Sequence, residues 1–244
     1  MFGRKFLIFI FFSTFFFGQK NVENQQLLWY GYYNKLQINK NWVLNSEVQE
    51  RHFYQPLVQH QLVFRTNLDR RILDDINVSL GFVVFLQSPN DPESESTLMV
   101  PELRTDFGFN AKKKYKYFNV NQRFKVEARF FHQTENNELV GGYQFSNFRM
   151  RYQLGLDIPL IKKQDAEKLI LKIKDEVMFN FGKNIVKNVF DQNRIYIGLN
   201  YPMNKNLAFE AGYLNWFQQR PSGTDFYNRD IIRFSVFHTI NLKK

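Results

Sequence analysis

Segment 145–159 alternates apolar and polar side chains along its length. Because successive side chains of a β-strand point to opposite faces, the pattern predicts a strand with one wholly apolar face. The other face carries Arg149, Arg151 and Asp157. Such a stretch is long for a strand of a globular protein, and it has about the length needed to cross a membrane at a tilt. The segment therefore predicts one wall strand of a transmembrane β-barrel.

The same alternation recurs from residue 28 to residue 242 and divides this part of the chain into eleven candidate strands. Short turns rich in Asn and Lys alternate with longer connections, as in outer-membrane barrels. The predicted fold class is all-β, a closed antiparallel transmembrane β-barrel of about 10–12 strands. Bacterial single-chain barrels have even strand numbers. We therefore expect either a short additional strand within residues 19–27, which would give twelve, or one candidate strand outside the wall, which would leave ten.

Three local features carry separate expectations. Trp29 lies among tyrosines at the start of the first strand, which is typical of an aromatic girdle at a membrane interface. Asp175 falls on the apolar face of its strand, where we expect a β-bulge or a local change of register. Segment 133–142 is polar and is expected to be a loop.

The N-terminal segment 1–18 has the pattern of a secretory signal peptide. Arg4 and Lys5 precede a short apolar run rich in phenylalanine, and the run is too short for a comfortable spanning helix. We expect export and removal of residues 1–18, which leaves residues 19–244 as a single barrel domain. The expected location is the outer membrane of a Gram-negative bacterium.

The amino-acid composition excludes several kinds of site and partner. The chain has no cysteine, which excludes disulfides, cysteine nucleophiles and cysteine-based metal sites. Its formal net charge is +10, but the Lys and Arg residues are spread along the chain instead of forming one basic patch. We therefore expect outer-membrane lipid as its surroundings and no nucleic-acid partner.

Charged residues of both signs fall on the faces predicted to point inward. One interpretation is an open pore that selects small anions, since the cations outnumber the acids. The other, which we favour, is a lumen closed by paired charges, because the side chains of a small barrel fill its interior. The candidate lumen-facing charges are Glu47, Arg51, Arg65, Glu102, Arg104, Arg123, Glu127, Arg129, Arg149, Arg151, Glu176, Arg194, Glu210 and Arg233.

No residue pattern indicates catalysis or metal binding. His60 and His238 fall on the apolar face, whereas His52 and His132 lie near strand ends. No serine has the context of a hydrolytic nucleophile, and no two histidines have the spacing of metal ligands. The acidic loop that contains Asp91 lacks the ligand pattern of a calcium loop. We expect no cofactor, no metal and no enzymatic activity.

Two segments, 29–51 and 190–217, resemble an uncharacterised family of outer-membrane barrels common in Bacteroidota, a domain-of-unknown-function family. The resemblance implies the fold and the location, and it implies no catalytic residues. It rests on a Trp-led first strand, a Lys/Asn turn before a second Trp, an Asn-Arg start to a late strand and a Gly-Tyr pair in the next strand. These features fall on Trp29, Trp42, Asn193, Arg194, Gly212 and Tyr213.

The expected function is non-enzymatic. The protein would be an integral outer-membrane barrel that is either a structural or accessory subunit of an outer-membrane assembly, with possible protein partners, or a narrow channel for small polar solutes. A soluble periplasmic barrel that binds a hydrophobic ligand is the main alternative, and it requires the apolar faces to point inward. An outer-membrane hydrolase is a weaker alternative.

Overall fold

The computed structural model describes residues 21–163, 166–185 and 187–242, and its regular structure there consists of eleven β-strands. The segment expected to be a signal peptide, 1–18, lies outside the described residues. Within them, no helix is long and apolar enough to cross a membrane. The strands are β1 (Val22–Gln37), β2 (Trp42–Phe53), β3 (Gln59–Leu73), β4 (Ile76–Gln87), β5 (Val100–Lys114), β6 (Asn119–Glu135), β7 (Glu138–Lys163), β8 (Ala166–Phe181), β9 (Phe190–Pro202), β10 (Leu207–Gln219) and β11 (Phe226–Asn241).

The strands form one closed barrel in which each strand pairs with its sequence neighbours and β1 pairs with β11. All pairs between consecutive strands are antiparallel, whereas the closing pair is parallel, with Val22 opposite Phe226 and Gln37 opposite Asn241. The all-β closed barrel is thus confirmed, but the expected correction to ten or twelve strands is wrong. Most of residues 19–27 extend β1 instead of forming a further strand. An odd number of strands can form a closed barrel because the closing pair, β1 and β11, is parallel.

The connections differ between the two ends of the barrel. One end, the short-turn end, has the connections 38–41, 74–75, 115–118 and 203–206. The opposite end, the long-loop end, has the connections 54–58, 88–99 and 220–225. At the long-loop end β6 and β7 extend as a hairpin, and its turn residues Asn136 and Asn137 have φ angles of 50° and 61°. Segment 133–142, expected to be a loop, is therefore mostly hairpin, because two Asn residues suffice for its turn.

The two faces of the wall differ in polarity as the alternation predicts. Outward positions carry Leu, Ile, Val and aromatic side chains that are largely exposed, such as Leu80 and Ile195. Around β6–β8 four phenylalanines form a continuous outer cluster: Phe130, Phe145, Phe148 and Phe181 follow one another with ring centroids 5.0–5.5 Å apart. Inward positions carry most of the buried polar and charged side chains.

Asp175 lies on the outer face without a bulge, which corrects the expectation from the sequence. The β7–β8 register is regular here, with Leu154 opposite Asp175 and Gln153 opposite Glu176. Asp175 accepts a hydrogen bond of 2.6 Å from the side-chain amide of Asn193 on the neighbouring strand β9. A partner within the wall therefore allows the carboxylate to remain on the outer face.

Trp29 and His60 point into the barrel, and both expectations for them were wrong. Trp29 is 3 % exposed and packs against Trp216, with ring centroids 5.6 Å apart. His60 is fully buried next to Phe53, at 4.6 Å between the rings. The β2–β3 register shifts between Arg51 and His52, which leaves His60 without a direct partner on β2. Such a bulge redirects one side chain to the opposite face, and this explains the inward position of His60.

The parallel closing pair can be tested by disulfide formation, since the chain has no native cysteine. Tyr30 and Phe234 are directly opposite on β1 and β11, and both are outward. We expect the double variant Tyr30→Cys/Phe234→Cys to form a disulfide on oxidation, because paired strands place the two Cα atoms within disulfide reach. The control Leu36→Cys/Phe234→Cys is six residues out of register and should stay reduced. Equal cross-linking of both would contradict the assigned register.

The outward face can be tested with arginine substitutions on β6. Val126 lies between Phe107 on β5 and Met150 on β7, in the middle of the outer surface. If this surface contacts lipid, Val126→Arg should lower the free energy of unfolding by about 2–4 kcal/mol, because arginine is costly at the bilayer midplane. Gln122→Arg, on the same face nearer the short-turn end, should cost about 0–1 kcal/mol. Urea titration in phospholipid vesicles measures both, and equal costs would argue against a membrane midplane at Val126.

Candidate functional site: the charged interior

The structure places all fourteen candidate lumen-facing charges on the inner face. Those at most 5 % exposed as whole residues are Arg51, Glu102, Arg104, Glu127, Arg149, Arg151, Glu176 and Glu210. The other six lie on the inner face and are partly exposed: Glu47, Arg65, Arg123, Arg129, Arg194 and Arg233.

Glu127 is the centre of an ionic cluster across β6, β7 and β8. Its carboxylate is fully buried and accepts hydrogen bonds from Arg149 at 2.5 Å and from Arg151 at 2.6 Å. Arg151 also donates to Glu176 at 2.9 Å, and Arg123 donates to the same carboxylate at 2.7 Å. The alternation of each strand brings these side chains inward, and the antiparallel register aligns them. We refer to these five residues as the central cluster.

Two further ionic groups on β5 and β6 adjoin the central cluster. Glu102 binds Arg104 at 2.6 Å and Arg129 at 2.6 Å. On the side toward the short-turn end, Asp106 binds Lys125 at 2.6 Å and accepts a hydrogen bond of 2.9 Å from Asn67. These contacts satisfy buried charges that would otherwise be very costly to desolvate.

Small inward residues make room for the network on β9 and β10. Gly198 and Gly212 are directly opposite each other. A Cβ at Gly212 would lie 2.6 Å from the Tyr196 hydroxyl, which donates a 2.8 Å hydrogen bond to Glu210. Gly212 is therefore needed for the close approach of Tyr196, and this gives the Gly-Tyr pair noted in the sequence a structural reason.

A buried apolar cluster fills part of the lumen at the long-loop end, which the sequence analysis did not anticipate. Trp29, Trp216 and Phe53 are among its members and are at most 3 % exposed. The alternation of β1 does indicate the inward position of Trp29. Leu28 and Tyr30 on either side of it point outward, so Trp29 points inward, as the charged residues of the neighbouring strands do. The remaining members of this cluster are Leu27, Tyr196, Leu214 and Ile231.

The interior has a cavity at each end and a filled layer between them. The cavity at the long-loop end has a volume of about 570 Å³ and is lined by residues that include Glu102, Arg149 and Arg194. The cavity at the short-turn end has a volume of about 360 Å³ and is lined by residues that include Glu47 and Arg123. No described residue lines both cavities. The central cluster and its neighbours lie in the layer between the two cavities.

The histidines are dispersed and do not form a site with one another. His60 is inside the barrel at the long-loop end, whereas His238 is outward and contacts the Tyr32 hydroxyl at 2.9 Å. His52 contacts Glu50 at 3.0 Å on the outer face, and His132 packs on Tyr143 in the β6–β7 hairpin. Among the described residues, no group of three or more His, Asp or Glu side chains has the geometry of a metal site.

The fold and the interior define a closed eleven-stranded β-barrel with an apolar outer face and an ion-paired lumen. The chain belongs to a family described as proteins of unknown function, DUF2490, whose model matches residues 26–228. This range includes nine complete strands, β2 to β10, together with most of β1 and the start of β11. The uncharacterised domain family expected from the sequence is thus confirmed. No curated protein and no solved structure matches the chain.

The importance of the central cluster can be tested by neutralising its main acid. Glu127→Gln leaves Arg149 and Arg151 without their shared counter-charge in a fully buried position. We expect the free energy of unfolding to fall by about 3–5 kcal/mol, because breaking a buried pair leaves uncompensated charge. The matched control Glu135→Gln removes an exposed carboxylate on the β6–β7 hairpin and should change stability by less than about 0.5 kcal/mol. Denaturant unfolding of the detergent-solubilised protein measures both. Equal effects would contradict the network.

Proposed function

We propose that the protein is an integral outer-membrane barrel of a Gram-negative bacterium with a non-enzymatic, structural or accessory role. The observation that carries the proposal is the combination of an apolar outer face with a lumen obstructed by paired charges. An apolar exterior suits lipid, whereas an obstructed interior suits a scaffold better than a pore.

The outer face supports a membrane location. Apolar side chains cover most of the exterior of β4–β7, where Leu80, Phe107 and Leu154 are each more than 40 % exposed. In water such a surface would be costly, because exposed apolar area of this extent drives association. The alternative of a soluble barrel that binds a hydrophobic ligand requires the reverse arrangement, with apolar side chains lining the cavity. The observed polarity of the two faces therefore favours the membrane proposal.

The interior supports a closed barrel instead of an open channel. Arg151 on β7 bridges Glu127 and Glu176, so a single side chain connects carboxylates of the two neighbouring strands β6 and β8 inside the lumen. Opening a path would separate buried ion pairs, which is energetically unfavourable. A narrow channel for small polar solutes remains the second candidate function, and the cavities at both ends favour it.

A polar row on the outer face supports a role beside another protein. Asp175, Asn215, Asp230 and Gln26 lie on one row of paired positions from β8 to β1, interrupted at β9 by Ile195. Ionisable residues in membrane segments usually face protein or water instead of lipid. A protein partner that covers this row would provide such surroundings, and this is why we propose an accessory subunit.

Single-channel recording in a planar bilayer tests the closed lumen. We expect the folded wild-type protein to be silent, because the central cluster obstructs the lumen. The double variant Glu127→Ala/Arg151→Ala removes the bridging side chains and should show steady, salt-dependent current steps. Heat-modifiable migration on a denaturing gel confirms that both proteins are folded. Steady steps from the wild type would instead support the narrow channel.

Membrane residence needs a separate measurement. Cell fractionation should recover the protein in the outer membrane, from which only detergent releases it. Recovery in the periplasmic fraction without detergent would contradict the proposal and would favour a soluble barrel.

A further inference from the structure

Three inward arginines at the long-loop end have no carboxylate partner. Within the described residues, Arg51, Arg194 and Arg229 form no ion pair within 4.0 Å, unlike Arg104, Arg149 and Arg151 in the middle of the barrel. Arg51 and Arg229 are at most 2 % exposed. Buried charges are usually paired, because desolvation without a counter-charge is costly. This region therefore carries an excess of buried positive charge.

The hydrogen-bond partners of these arginines are neutral amides. Arg51 donates to Gln61 at 2.6 Å, Arg229 donates to Gln25 at 2.7 Å, and Arg194 donates to Gln192 at 3.0 Å. These contacts fix the guanidinium groups but leave their charge uncompensated.

The indole rings of two tryptophans hold the same guanidinium groups in place. Arg51 stacks on Trp29 at 3.9 Å from the ring centroid. Arg194 and Arg229 both lie over Trp216, at 4.6 Å and 4.4 Å. Cation–π contacts orient the arginines, but they supply no full negative charge. The arrangement is thus a fixed cluster of positive groups around two indoles.

The cavity of about 570 Å³ at the long-loop end adjoins this cluster. Arg194 and Trp216 line it directly, whereas Arg51 and Arg229 lie behind lining amides of Gln61 and Gln218. Its volume is in the range of about 300–1,000 Å³ that is typical of small-molecule sites. The cavity is therefore large enough for a small organic ion.

A second, independent observation also points to a ligand here. Trp216 is 2 % exposed and lines the cavity, yet its buried Nε1 has no hydrogen-bond partner in the described part of the protein. An unsatisfied buried donor is unfavourable. An anion in the cavity would compensate the neighbouring guanidinium charge, and a shift of the indole toward the cavity would let the enclosed Nε1 donate to one of its oxygen atoms.

We propose that the cavity at the long-loop end is a binding site for a small anion that carries a carboxylate or phosphate group. Arg194 holds the oxygen atoms, and Trp216 Nε1 joins it after a shift of the indole, while Arg51 and Arg229 supply a positive potential from behind the cavity wall. The central cluster obstructs the lumen below the cavity, so the anion binds at this end and is not passed through. The site does not depend on the membrane role proposed above, since it rests on the interior alone.

Calorimetric titration of the full chain in detergent micelles tests the site. The probes are inorganic phosphate and succinate, which represent the two oxyanion chemistries, at matched ionic strength. We expect saturable binding of at least one probe, with a change in tryptophan fluorescence that has the same midpoint, since Trp29 and Trp216 adjoin the site. The stronger probe identifies the preferred chemistry.

Three variants locate the binding. Arg194→Gln should weaken the affinity about tenfold or more, because a charge-assisted hydrogen bond is lost. Trp216→Phe keeps the ring but removes the N–H donor, and it should weaken binding to a smaller extent. Lys35→Gln removes a positive charge from the cavity at the short-turn end and should leave the affinity unchanged.

The proposal is overturned if neither probe binds to folded wild-type protein. It is also overturned if the Lys35→Gln control weakens binding as much as Arg194→Gln, because the effect would then reflect net charge alone. Retention of heat-modifiable gel migration checks the folding of each variant. If Arg194→Gln does not fold, Trp216→Phe decides alone: unchanged affinity and fluorescence response would contradict the proposal.

Discussion

The burial of charge inside the wall is the constraint on which the rest of the structure depends. Side chains alternate between the two faces of each strand, and the apolar ones are outward. The polar side chains of eleven strands therefore share one small lumen. Each charge there needs a partner, and Glu127 satisfies two arginines at once. The register of β6, β7 and β8 is fixed by the same contacts, since a shift of one residue would reverse the faces. Ion pairing and strand register therefore stabilise each other.

The long-loop end departs from this arrangement in a consistent way. There the unpaired arginines hydrogen-bond to neutral amides and stack on the indoles, whereas Glu102 and Asp191, which line the same cavity, pair with other arginines. In the middle of the barrel the arginines are paired with carboxylates, whereas this end has unpaired arginines and the larger cavity. The two halves of the interior are thus suited to different tasks, one to stability and the other to recognition.

Alternation in the sequence was sufficient to predict the strands and the inner face, because the period of two is local. It could not predict partners that depend on three-dimensional register, such as the stacking of Arg194 on Trp216. His60 lies on the face opposite to the one that alternation predicts, because a bulge is not visible in a period-two pattern. Asp175 has the pattern of an irregularity in its own strand, because its partner Asn193 lies on another strand. Closure by a parallel pair was missed because no local pattern reports it.

The parallel pair has a consequence for the path of the chain. Because β1 and β11 run in the same direction, the chain enters the wall at Val22 beside the long loops and leaves it at Asn241 beside the short turns. A tilted strand of this length spans about 40 Å. In a bilayer the two points would open to opposite compartments, so labels attached before β1 and after β11 would meet different solvents. The length of the barrel would therefore separate the two labels.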